Sequence, residues 1–193
     1  MINKEDTIQS KILLNAQKLF QKGGLKKTTM DEIAAECGKA KSTLYHYYNS
    51  KIDVFDAVVE MELLNLRRHV KSKVDKQKNM LDRLKTYIRE FHKEVINKKN
   101  LYRIIKQEQL NELYRNHLLS IISFEQSYIS RILEDGYDLK ELRTIKREEI
   151  GWVSEMFLAA FLGLVFYSIE KDGFLEEDKL NKAIDFMVPK IFG

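Results

Sequence analysis

The stretch Thr28-Thr29-Met30-Asp31-Glu32-Ile33-Ala34, then Gly38, then Lys41-Ser42-Thr43-Leu44-Tyr45-His46-Tyr47-Tyr48 decides the fold. Thr29 and Glu32 have the Thr-x-x-Glu spacing of a capping box, in which the hydroxyl accepts from the backbone N–H of the glutamate and the carboxylate reaches back. The helix started there carries Ile33, Ala34 and Cys37 inward and ends at Gly38, a residue able to take the left-handed conformation of a sharp turn. Lys41 to Tyr48 follows as a second short helix. Its Leu44 and Tyr48 stand four apart and share the inward face, leaving Lys41, Ser42, Thr43, Tyr45, His46 and Tyr47 outward. Two short helices meeting at a glycine turn have the form of a helix-turn-helix, whose second helix enters the major groove of DNA.

Upstream, Ile8, Ile12, Ala16, Leu19 and Phe20 recur at helical spacing, so residues from about 6 to about 22 form an amphipathic first helix, stopped at Gly23-Gly24. Downstream, Asn49-Ser50 breaks the chain, and Ser50-Lys51-Ile52-Asp53 offers the cap of a long fourth helix. Apolar residues keep helical spacing to the end, with breaks expected near Asn79, Asn100, Asn116, Asp138 and Gly173. Only 8 Gly and 1 Pro among 193 residues fit long helices and little else. The expected fold is all-α: a three-helix helix-turn-helix head over residues 1–50 and a helical bundle over residues 51–193, about nine helices in all.

Net charge is +4, and its distribution says more than its size. Residues 1–52 hold nine lysines against five acids, while the remainder balances. Charge alone reads equally as a solvated lysine face; the outward hydroxyls and rings of Lys41–Tyr48 tip the reading toward DNA. Hydroxyls and lysines reach phosphates, and a tyrosine can bond a phosphate and lay its ring on a thymine methyl.

These residues, with the Ser50-Lys51 that follows, closely resemble the DNA-binding head of the TetR family over residues from about 8 to about 60. The resemblance implies a homodimeric, sequence-specific transcription regulator that binds a double-stranded DNA operator, a repressor released by a small ligand. It makes Thr29, Thr43, Tyr47 and Lys51 phosphate contacts and places Lys41, Ser42 and Tyr45 nearest the base edges, with His46 open between the two roles. It also implies that the last two long helices form a four-helix interface with the partner. Two departures stand out: Lys39 replaces a usual apolar residue, and Ala40 a frequent capping serine, which leaves the recognition helix without its cap. No arginine precedes Arg67, so the head lacks the arginine fork that most often reads guanine, and Lys41 must do so alone.

In the body, the segment Trp152 to Ile169 is apolar on nearly all sides and needs cover beyond its own domain. Ala159 and Gly163 permit a close helix, and Leu180, Ile184, Met187 and Val188 of the final helix are expected to complete a dimer face, with Pro189 stopping or kinking that helix. Phe91, Phe124, Tyr128 and Trp152 are candidate walls of a ligand pocket, against the plainer reading of such rings as core. Glu155 is a candidate for a cationic ligand, against the plainer reading of a solvated carboxylate or one paired with Arg147 or Lys146. The expected ligand is therefore small and apolar or cationic.

No nucleophile, metal or phosphate-loop signature is present: the four histidines lie more than twenty residues apart, and Cys37 sits on an apolar face. An enzyme is not expected, nor a cofactor or a metal. The lone cysteine and the polar N-terminus suggest the cytoplasm, and the apolar run Met156 to Ile169 reads as shorter than the ~18 residues a membrane span needs. The rival reading is a helical protein-binding adaptor without DNA-binding activity, its patch formed by Tyr45-His46-Tyr47.

Overall fold

The computed structural model describes the backbone of residues 4–108, 112–171 and 176–193, and the side chains among them except those of 4–7, 106–118, 120 and 121. Among these the secondary structure is helical throughout: α1 (Lys4–Lys27), α2 (Met30–Cys37), α3 (Lys41–Tyr47), α4 (Lys51–Val74), α5 (Met80–Asn97), α6 (Lys99–Glu108), α7 (Glu112–Asp138), a single 3-10 turn (Arg147–Glu149), α8 (Ile150–Glu170) and α9 (Glu177–Phe192). Gly24 breaks α1 near its end, with φ at 80°, and a short turn over Leu25 to Lys27 follows the kink. The break expected near Asn116 is not there, because α7 runs unbroken from Glu112 to Asp138. The break expected near Gly173 lies outside the described residues.

The chain divides into two compact units, Met1–Asn65 with Asn100–Gln107, and Leu66–Lys99 with Glu108–Gly193. The first is built on Ile12, Ala16, Phe20, Ile33, Leu44, Val54, Phe55 and Val58, all buried, with the rings of Phe20 and Phe55 edge to face at 5.2 Å. Its core also holds a carboxylate. Glu62 of α4 is buried and accepts from Gln17 Nε2 of α1 at 2.6 Å and from the Tyr102 hydroxyl of α6 at 3.4 Å, so a charge that would be costly alone ties three helices together.

In the second unit α8 packs on α7 and α5, and α9 packs on α5. The inward side of α8 presents Ser154, Leu158, Phe161 and Val165. Ser154 is fully buried because it is fully bonded: it donates to Gly151 O at 2.7 Å, accepts from Gln126 Nε2 at 3.2 Å and meets the Ser130 hydroxyl at 2.9 Å. Asp185 of α9 holds Arg89 at 2.7 Å and Lys85 at 3.2 Å on α5. Pro189 does not stop α9, which continues to Phe192; so late in a helix a proline removes one N–H donor and leaves the turn beyond it free to close, as the Gly193 N–H does on Pro189 O at 2.9 Å.

Two expectations for these helices are corrected. Leu180, Ile184 and Val188 of α9 are buried inside their own unit, so the outward apolar residues are Phe186, Met187 and Ile191. Leu180, Ile184 and Val188 follow one another at helical spacing on the face turned to α5, which leaves the opposite side to the others. The apolar helix is also longer than the run Met156 to Ile169 suggested: Arg147–Glu170 has the length and mean hydropathy, 1.7, of a bilayer span, with 28% of its most apolar window buried.

Candidate nucleic-acid interface

The capping box at α2 is present in full. Thr29 Oγ1 accepts from Glu32 N at 3.2 Å, and Glu32 Oε2 accepts from Thr29 N at 2.8 Å. Gly38 closes the helix at φ 63° and ψ 40°, in the left-handed region that favours glycine, and its N–H bonds Ala34 O and Ala35 O. This turn launches α3, which starts at Ala40 with no side-chain cap, as the missing serine implied.

Leu44 is 1% exposed and Tyr48 is buried, so they anchor α3 to its domain. Lys41, Ser42, Tyr45 and His46 are exposed on the other side, and Thr43 and Tyr47 are half-buried between. The outward face is organised within itself. Lys41 Nζ lies 2.8 Å from Asp31 Oδ1 and 3.0 Å from Oδ2 on α2, which raises its pKa, and 5.9 Å from the Tyr45 ring centre. His46 and Tyr47 meet edge to face at 5.2 Å.

The other two candidate phosphate contacts are engaged locally. The Thr29 hydroxyl also donates to Glu32 Oε2 at 3.0 Å, and Lys51 Nζ, at the start of α4, donates to Leu25 O at 2.7 Å and Lys26 O at 3.3 Å, the carbonyls just past the Gly24 kink. A phosphate reaching Lys51 has to compete with those carbonyls. Cys37 is buried, with Asn15 Nδ2 at 3.6 Å from its sulfur, as a small core residue.

Residues 12–58, the last two-thirds of α1 through the first turns of α4, match the family model of bacterial regulatory proteins of the tetR family. The head is that of a TetR-family regulator. Regulators of that family bind DNA operators, usually as dimers. The TetR-type resemblance extends past the head in two curated relatives. The biofilm operon icaADBC HTH-type negative transcriptional regulator IcaR of Staphylococcus aureus is 23% identical over 172 residues, 89% of this chain and 91% of that one. The HTH-type regulator YvaF of Bacillus subtilis is 24% identical over 165 residues, 82% of this chain and 79% of that one. Among solved structures, the fatty acid degradation regulator FadR of Bacillus halodurans shares the fold with TM-score 0.76 at 17% identity, covering 96% of each chain. GusR of Salmonella enterica does so with TM-score 0.76 at 16% identity, covering 99% of this chain and 98% of that one.

The body candidates part company. Phe91, Phe124 and Tyr128 line one cleft of about 110 Å³ in the second unit, together with Arg67, Arg68, Val70, Lys71 and Glu125. Trp152 and Glu155 do not belong to it; both are exposed on α8, so Glu155 lies off the face that buries Leu158. Arg147, one cation considered for it, pairs with Asp138 at 2.9 Å instead. Sequence reasoning passed over the polar group behind the cleft. Glu125, 3% exposed, accepts from Arg67 Nε at 3.2 Å and from the Tyr87 hydroxyl at 2.9 Å, and the Arg67 guanidinium lies 3.9 Å from the centre of the Phe124 ring. One signal for it existed: Glu125 falls four residues before Ile129, on the stripe that Ile132 and Leu133 continue.

Proposed function

We propose that the chain is a homodimeric repressor released from its operator by a small ligand, with residues 1–50 as the DNA-binding domain and residues 51–193 as the dimerisation and sensing domain. The observation that carries it is the two-sided α3: Leu44 and Tyr48 buried, and Lys41, Ser42, Tyr45 and His46 displayed within a head that matches the family. Thr29, Thr43, Tyr47 and Lys51 contact phosphates; Lys41, Ser42 and Tyr45 reach base edges, and His46 joins whichever the operator brings near.

A second copy covers the outward side of α8 and α9. Trp152, Met156, Phe186, Met187 and Ile191 are large, apolar and exposed there, and nothing stands within 4 Å of a side chain added at Gly163, leaving room for a close helix. This occupant also answers the bilayer-like length of Arg147–Glu170, and the cytoplasm, where operators are, is the expected location.

Two recognition helices must meet major grooves about one turn, ~34 Å, apart, so a ligand that alters the course of α4 alters their separation and with it the affinity. Titrating operator affinity of the full chain with and without candidate ligands tests this. Tight operator binding weakened by ligand is the expected result; operator binding that no cleft-binding ligand changes overturns the release mechanism.

A further inference from the structure

Resting on the reading of the chain as ligand-released, the geometry points to a small monocarboxylate with a compact apolar body as the ligand of the cleft walled by Phe91, Phe124 and Tyr128. The rings and Val70 supply the apolar wall. Its size limits the body: about 110 Å³ is somewhat smaller than a cavity of ~150 Å³ that accommodates benzene, so nothing larger than a single ring or a short branched chain can sit inside.

The polar groups choose the charge. Glu125, the one carboxylate of the lining, already receives a guanidinium N–H on one oxygen and the Tyr87 hydroxyl on the other, and Arg67 balances its charge. It is therefore poorly placed to recruit a cation. What the cleft has to spare is donors. Among the described residues, Arg67 Nη2 and the Tyr128 hydroxyl are buried with no hydrogen-bond partner, and a native structure rarely leaves such groups unmatched without a ligand or water to take them. Burial pushes the Tyr128 phenol up to about 12, so it remains a donor at neutral pH. Arg68 and Lys71 also line the cleft, Lys71 in an ion pair with Asp75, so the lining itself carries three cationic side chains and one carboxylate. A carboxylate offers two acceptor oxygens and a negative charge, which matches a spare guanidinium N–H and a spare hydroxyl. The cation-binding role once open to Glu155 has no support from this cleft, whose lining does not include it.

The experiment is calorimetric titration of the full chain with benzoate, benzamide and benzylamine, which share a ring and differ in charge. Benzoate is expected to bind at least about tenfold more tightly than either of the others. Tyr128→Phe is expected to weaken benzoate about fivefold without lowering the thermal midpoint, because it removes a hydroxyl that has no partner in the free protein. Arg67→Lys, which keeps the charge beside Glu125 but loses the planar fork, is expected to weaken benzoate further. No saturable benzoate binding, equal or tighter binding of benzylamine or benzamide, or benzoate affinity indifferent to Tyr128→Phe would each overturn the assignment. Operator affinity is measured in parallel and separates this assignment from the one beneath it. Benzoate binding that leaves operator affinity unchanged refutes release by ligand and keeps the site; release by benzylamine and not by benzoate keeps the mechanism and refutes the ligand class.

Discussion

α3 and α8 both leave aromatic side chains in solvent, on opposite chemical terms. On α3 the exposed rings are Tyr45 and His46, set among a lysine and hydroxyls, and an ion pair to Asp31 and ring contacts hold them in place. On α8 the large exposed hydrophobic residues are Trp152, Met156 and Tyr167, 53%, 64% and 47% exposed, with Ala159, Ala160 and Gly163 between them and Glu155 beside Met156. A face whose polar atoms are spaced for acceptors is complete without cover and waits for phosphates and bases. A face of large apolar groups around small ones is incomplete until another apolar surface lies on it. The partners proposed for the two helices follow that chemistry, DNA for one and a second copy for the other.

The contrast breaks most readily at the anchor of α3. Leu44→Ala removes a fully buried side chain from a seven-residue helix that has no cap, and should cost about 2–5 kcal/mol of head stability. Thermal unfolding with operator binding checks it: loss of both is expected, and an unchanged melt would mean the helix is held otherwise. Phe186→Glu with Met156→Glu puts charge on the apolar face and should weaken self-association at least about a hundredfold, ~2.7 kcal/mol, as read by sedimentation. Monomer folding should survive, since both side chains are more than half exposed, Phe186 at 62%.

Smaller changes sharpen the polar side. Lys41→Ala should cost about 1–3 kcal/mol at one operator position and relax specificity there, whereas Lys51→Ala should weaken all sequences alike. Binding to a set of single-base operator variants distinguishes them, and a uniform loss for both would remove the base-reading role of Lys41. Thr29→Ala should cost about 0.5–2 kcal/mol through the lost cap, read in the melt. A modest effect is expected from His92, whose imidazole burial holds below its ordinary pKa of 6.5 while Glu177 pulls the other way. A histidine kept neutral in the fold favours folding above the unfolded value, so stability should fall as pH drops from 6.5 toward the folded value, and His92→Gln should flatten that slope.

The head was legible because its signals are local. A capping box spans four residues, Gly38 announces its own conformation, and the period of Leu44 and Tyr48 divides α3 into two faces without knowledge of the rest. Helix content in the body was legible for the same reason, and so were the break at Asn79 and the cap at Gly38, where a side chain or a backbone freedom acts on its neighbours. What the body does with its helices was not. Arg67 and Glu125 are 58 residues apart, and no period links them. α9 has apolar residues on two faces, so spacing alone did not tell that Leu180 and Ile184 turn inward and Phe186 outward. Glu155 and Glu125 are both carboxylates in largely apolar helices, and packing buried Glu125, which the spacing did not single out, and exposed Glu155, which it did.

The most direct test of the regulator is binding of the full chain to the DNA flanking its own gene, at several salt concentrations and against random competitor. The account predicts tight binding that survives competitor and falls steeply with salt, as phosphate neutralisation by Lys51 and its neighbours requires. Weak binding, equal for operator and random DNA, would contradict it.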